Sequence, residues 1–95
     1  MHPETLAVRV AVDKSQYGEN SESIYLTSSF IQSDAETAVR LFAGEEKGFT
    51  YSRFTNPTVA SMEQRLAALE GTEACVGTSS GMAATLLLCM ALLKA

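Results

Sequence analysis

Ala74-Cys75-Val76-Gly77-Thr78, then Ser79-Ser80-Gly81, then Met82-Ala83-Ala84 and an apolar continuation to Lys94, is the stretch that decides the fold class. The first five residues have strand character, the next three are small turn formers, and Met82 to Lys94 reads as a helix. A helix pattern also precedes the strand. The order helix, strand, tight turn, helix is half of a parallel α/β layer. From Gly71 to Ala95 the only formal side-chain charges are Glu73 and Lys94, so the last helix is apolar all round. Such a helix belongs in the middle of a larger protein, and the chain is expected to be cut off from its cover. The run Met82 to Leu93 is twelve residues with Thr85 inside it, short of the roughly 20 that a membrane span needs.

The upstream helix is bounded by its own signals. Asn56-Pro57 offers a cap residue and then Pro at the first helical position, and Val59, Met62, Leu66 and Leu69 form one stripe until Gly71 stops it. An amphipathic helix of about four turns is predicted. Ser33-Asp34-Ala35-Glu36 reads as a capping box with Ser33 as the cap, followed by Ala35, Ala38, Val39 and Phe42 at helical spacing and Gly44 as the stop. Phe49 to Thr55 has no helical period and is predicted to be extended or turning before Asn56-Pro57. Residues 1–32 signal weakly: Leu6 to Val12 as a short helix or strand, Asp13 to Ser23 as a polar loop, Ile24 to Ile31 as extended.

Ninety-five residues with 46% hydrophobic and 19% charged side chains bound the chain to one folding unit and exclude collagen, coiled coil and disorder. Seven Lys and Arg against 11 Asp and Glu leave a formal charge of −4. The basic residues are scattered singly, which argues against a nucleic-acid partner, since duplex binding leans on clustered cations. Cys75 and Cys89 stand 14 residues apart in apolar surroundings and read as buried reduced thiols, with no metal site implied. Met1-His2-Pro3-Glu4 starts no secretory signal, and a cytoplasmic location is expected. His2 is expected to be disordered, and Met62, Met82 and Met90 to fill core.

Thr78 to Ala84 carries the strongest chemical signal. Unpaired amides at a helix N-terminus, the positive end of the dipole and short hydroxyl side chains together make a phosphate site. Gly81 would let the phosphate approach, with the amides of Gly81 and Met82 and the Ser80 hydroxyl as donors. An ordinary strand-to-helix turn with a cap and a Gly reads the same way. Gly77-Thr78-Ser79-Ser80-Gly81 also spells the G-x-S-x-G nucleophile elbow, with Ser79 as nucleophile, but the acid and the His would have to follow, and the sole His is His2. Tyr51 and Arg53 form the second constellation. On an extended segment both would face one side and one anion, with the Arg fork suited to phosphate. A solvated surface loop is the alternative, and Asn56 has a sufficient role as a cap.

Taken together, Ile24 to Phe30, Tyr51-Ser52-Arg53-Phe54-Thr55-Asn56-Pro57-Thr58, Leu69-Glu70-Gly71 and Thr78 to Ala84 resemble the pyridoxal-phosphate (PLP) enzymes of cysteine and methionine metabolism. That group holds cystathionine γ-synthase, cystathionine β-lyase, methionine γ-lyase and the homoserine sulfhydrylases. The resemblance runs from about Glu4 to Ala95. Phe42 to Glu45 and Tyr51 to Val59 are most similar to the O-succinylhomoserine sulfhydrylase branch.

The resemblance implies an aspartate-aminotransferase-like, fold type I α/β architecture, with residues 1–55 as an N-terminal arm contacting a neighbouring subunit and residues 56–95 as the start of the large PLP-binding domain. It implies PLP as cofactor, held at its phosphate by Ser80, Gly81 and Met82, while Tyr51 and Arg53 reach the phosphate of a neighbouring subunit. A dimer with composite sites follows, and commonly a homotetramer. It also implies a small amino-acid substrate and homocysteine formation from O-succinylhomoserine and sulfide. The lysine that carries the cofactor is expected downstream of Ala95; Lys14, Lys47 and Lys94 do not match its context. A lyase of the same family, or a non-catalytic interaction module, are the alternatives. The chain departs from the family where a Gly often follows Thr5-Leu6-Ala7-Val8-Arg9 and where Pro-Pro often precedes Ile24-Tyr25; here Val10-Ala11-Val12 and Glu22-Ser23 stand there.

Overall fold

The computed structural model describes residues 1–94. Four helices follow in order: α1 (Pro3–Arg9), α2 (Ala35–Phe42), α3 (Pro57–Glu70) and α4 (Gly81–Leu92). α3 is the longest and is set by local chemistry at both ends. The Asn56 side chain accepts from the Thr58 amide, Pro57 occupies the first turn, and Gly71 adopts the left-handed conformation at φ 66. There its amide and that of Thr72 both reach the Ala67 carbonyl, which closes the helix.

α2 also forms where its periodicity placed it, with a different cap. Asp34, rather than Ser33, is the N-cap, and its carboxylate accepts from the Thr37 amide at 2.6 Å. A charged acceptor one residue nearer the helix outcompetes the hydroxyl, and Glu36 is left to pair with Arg40 at 3.3 Å. At the other end Gly44 takes φ 75, and the pair of bonds Glu45 N–H to Arg40 C=O and Gly44 N–H to Leu41 C=O makes a Schellman stop.

Before α2 the chain is helical only from Pro3 to Arg9. His2, expected to be disordered, is the N-cap residue of α1, its carbonyl accepting from Thr5 and Leu6. α1 packs on α3. Their junction is fastened by Arg65, which donates to the Val10 carbonyl at 3.2 Å and to Glu22 at 2.8 Å. Glu22 thus supplies α3 with an ion pair from the segment that follows α1. The loop after α1 is clasped by Glu19, whose carboxylate accepts from the Ser15 amide and hydroxyl and from Ser23.

The strand expected over residues 74–78 is absent, and among the described residues the single piece of β pairing is an antiparallel bridge between Ser29 and Tyr51. A parallel strand exists through its neighbours' N–H and C=O groups, and these 94 residues place none beside 74–78. Around the bridge, Phe30 N–H bonds to Thr50 C=O and Ser52 N–H to Ser28 C=O, and the Phe30 and Phe49 rings lie 5.7 Å apart.

Core is nearly absent. Ala67, 7% exposed, is the one buried apolar residue among those described, and Asn56 the one buried polar residue. The stripe Val59, Met62, Leu66 and Leu69 is half-covered, while Met82 and Met90, expected as core filling, are largely exposed. Cys89 is exposed and Cys75 only partly covered, correcting the buried-thiol reading. Along α4 the leucines stand open, Leu88 at 60%. The accessible surface is 7766 Å², against about 5,300 Å² for a compact chain of 10.2 kDa. Among the described residues no helix is long and apolar enough to cross a membrane.

Candidate functional site

At the start of α4, Ser80 is extended (φ −157, ψ 160) and caps the helix, its hydroxyl oxygen accepting from the Ala83 amide at 3.1 Å. Thr78 donates its hydroxyl to the Ser80 carbonyl at 2.8 Å and stiffens the turn. Ala84 N–H bonds to the Ser80 carbonyl at 3.2 Å, and in the first turn of α4 the amides of Gly81 and Met82 have no partner among the described residues. A Cβ placed on Gly81 would meet nothing within 4 Å, so the approach to these amides is open. Two free amides, a hydroxyl proton still available on Ser80 and the positive end of a twelve-residue helix fit a phosphate group. The same geometry gives no support to Ser79 as an elbow nucleophile. No strand leads into it, and His2 is engaged at α1.

Tyr51 and Arg53 are brought together by a turn, one of the two forms expected for Phe49 to Thr55, rather than by the extended i, i+2 spacing. Phe54 N–H and Thr55 N–H both bond to the Tyr51 carbonyl, at 3.0 and 3.2 Å, folding residues 51–55 back on themselves. The Arg53 guanidinium carbon then lies 5.2 Å from the centre of the Tyr51 ring and 5.6 Å from that of Phe54. Cation–ring contact with two rings, themselves inclined at 63°, orients the fork. Arg53 has no carboxylate partner among the described residues. Among the described residues no hydrogen bond or ring contact joins this pair to Ser80, Gly81 or Met82; the two groups are separate.

Several residues that support both groups were not singled out from the sequence. Asn56, read as a cap alone, also donates to the Tyr25 carbonyl and to the Ser52 hydroxyl, both at 3.0 Å. Thr58 accepts from the Tyr25 amide at 2.9 Å, and the Ser52 hydroxyl donates to the Thr27 carbonyl. The Tyr51–Phe54 turn is thereby held to the Ile24–Ser28 segment. Glu63 accepts from the Gly77 amide at 2.7 Å. One signal was available, since Glu63 is four residues from Val59 and shares its side of α3.

The shifted carboxylates lie away from these groups. Hydrogen bonds from the Ser15 hydroxyl and amide lower Glu19 to about 2. Arg65 lowers Glu22, and the Thr37 amide lowers Asp34. An open apolar groove of about 420 Å³ runs beside α4, lined by Val76, Ala84, Leu87 and Leu88. The described residues contain no group of metal-ligating side chains.

The sequence pattern of the family described as Cys/Met metabolism PLP-dependent enzyme matches residues 4–95. An O-succinylhomoserine sulfhydrylase of Pseudomonas aeruginosa is 49% identical over 89 residues, which cover 94% of this chain and 22% of that protein. An L-methionine gamma-lyase of Fusobacterium nucleatum subsp. polymorphum is 48% identical over 80 residues, covering 84% of this chain and 20% of that protein. Among solved structures, a putative O-acetylhomoserine (thiol)-lyase from Campylobacter jejuni superimposes over all of this chain and 23% of its own, with TM-score 0.94 and 32% identity, and that structure carries a pyridoxyl-lysine phosphate. The chain thus spans about a fifth of the length of the curated relatives it matches. With the motifs, the match across residues 4–95 and the shared backbone in agreement, this chain belongs to the family of Cys/Met metabolism PLP-dependent enzymes.

Proposed function

We propose that the protein bearing this chain is a cytoplasmic, PLP-dependent O-succinylhomoserine sulfhydrylase that forms homocysteine and succinate from O-succinylhomoserine and sulfide. The 49% identity to the Pseudomonas enzyme over 94% of the chain carries this reading. Bound PLP supplies the electron sink for chemistry at the substrate carbons. This chain's residues bind and orient it. The amides of Gly81 and Met82 and the Ser80 hydroxyl donate to the phosphate of one cofactor. Arg53 offers its fork, and Tyr51 its hydroxyl, to the phosphate of a neighbouring subunit's cofactor. Residues 1–55 act as the arm that carries this pair across, and residues 56–95 begin the PLP-binding domain. The separation of the two groups within one chain supports a composite site and a dimer; pairing of dimers into a homotetramer belongs to the proposal through the family resemblance alone.

A methionine γ-lyase is the second reading, favoured by the 48% identity to the Fusobacterium protein. Purified whole protein, given O-succinylhomoserine with sulfide in one assay and methionine in another, decides between them. Homocysteine and succinate are expected from the first; release of methanethiol, ammonia and 2-oxobutanoate from methionine, with no homocysteine in the first assay, overturns the sulfhydrylase assignment. Arg53→Ala in the whole protein is expected to raise the Kd for PLP about 10- to 100-fold with little change in melting temperature. Unchanged PLP affinity would remove Arg53 from the site.

A further inference from the structure

Glu63 lies outside every residue group that contacts the proposed phosphate, yet it makes the sole hydrogen bond between segment 73–80 and α3 among the described residues. Its carboxylate accepts from the Gly77 amide at 2.7 Å, a charge-assisted bond at short distance. Only Thr78 and Ser79 separate Gly77 from the Ser80 cap. Thr78 is itself bonded forward to the Ser80 carbonyl. The backbone at Gly77 rests directly on α3: a Cβ there would stand 2.8 Å from Met62 Cε, 3.4 Å from Glu63 Oε1 and 3.7 Å from Val59 Cγ1. A side chain at Gly77 would require the Met62 methyl to shift.

We propose that Glu63 is a positioning residue for the cofactor phosphate: by holding the Gly77 amide it fixes where the Thr78–Ser80 turn, and with it the free amides of Gly81 and Met82, stand relative to α3. The inference rests on the assignment of Ser80, Gly81 and Met82 to the phosphate. A rigid fourteen-residue helix thereby supplies the registration that a turn without β pairing in this chain lacks. Binding to amides whose direction is fixed in advance loses less ordering entropy than binding to a turn that must first settle.

The test titrates PLP into the apo form of the whole gene product, reading affinity from the visible circular dichroism of bound PLP and phosphate environment from its 31P resonance. Glu63→Asp keeps the charge but withdraws it by one methylene; Glu63→Gln keeps reach and an acceptor oxygen without the charge. Glu63→Asp is expected to raise the Kd for PLP about tenfold and shift the 31P resonance, while Glu63→Gln stays within about threefold of the parent with the parent's resonance. Parent-like behaviour of Glu63→Asp, or a loss in Glu63→Gln as large as in Glu63→Asp, overturns the proposal. Should Glu63→Asp not fold, Glu63→Met, of similar reach with no strong acceptor, carries the same expectation and the same refutation. Arg53→Ala and Ser80→Ala in the same titration keep the two readings apart. Weakened binding in those two with parent-like Glu63 variants removes Glu63 and leaves the site; parent-like binding in every variant removes the site itself.

Discussion

Ala11 has a backbone φ of 59, the one positive value on a non-glycine residue among those described. Left-handed backbone brings an L side chain's Cβ against the carbonyl oxygen, a cost of about 1–2 kcal/mol that glycine avoids. Ala11 holds a conformation that suits glycine better than alanine. Ala11→Gly in the whole protein is therefore expected to stabilise by about 0.5–1 kcal/mol, the relieved strain less the added entropy of the unfolded chain. A rise in denaturant midpoint at unchanged slope would show it, and a fall would show that strain is not the dominant effect. At this scale the sequence was partly legible. Tyr51 and Arg53 could be paired from their i, i+2 spacing, but the cation–ring stack that sets the guanidinium's direction arises from the turn, and Phe54 as a second ring was invisible without it.

Helix boundaries were legible because caps are local: Asn56-Pro57, Gly71 and Gly44 each act on amides or carbonyls within a few residues. The strand at 74–78 was not, because β pairing depends on partners far away in sequence. The second duty of Asn56 was hidden for the same reason, since its bond to Tyr25 spans 31 residues. Asn56→Ala removes a cap and leaves the Tyr25 carbonyl and the Ser52 hydroxyl without their donor at a buried position, and about 2–3 kcal/mol of stability is expected to go. Asn56→Asp keeps the cap oxygen and loses the donor, so its melting temperature should fall between those of Asn56→Ala and the parent. The loop clasped by Glu19 has a pH signature. Its carboxyl is lowered from 4.5 to about 2, so the clasp contributes fully above pH 4.5 and is lost as pH falls through about 2. An NMR titration of the Ser15 amide should accordingly show a midpoint well below 4.5; a midpoint at the ordinary glutamate value would mean the clasp does not persist in solution.

Taken whole, the described residues leave many large apolar side chains open, most of those on α4 among them. The excess over a compact chain, 7766 Å² against about 5,300 Å², is consistent with α4 being apolar on every side. Residues 1–95 expressed alone are expected to aggregate or to melt without cooperativity, and a sharp, monomeric, concentration-independent transition would refute this. That the last helix needed covering was legible from the run of uncharged residues after Glu73; how little core the remaining chain assembles was not, because half-covered stripes and fully covered ones have the same periodicity. The fastening of α1 to α3 reaches into synthesis. Arg65 Nε and the Val10 carbonyl it holds are 55 residues apart, and at roughly 5–20 residues per second a ribosome needs about 3–11 s to travel between them. Over that interval α1 is made but its partner helix α3 is not yet there to hold it.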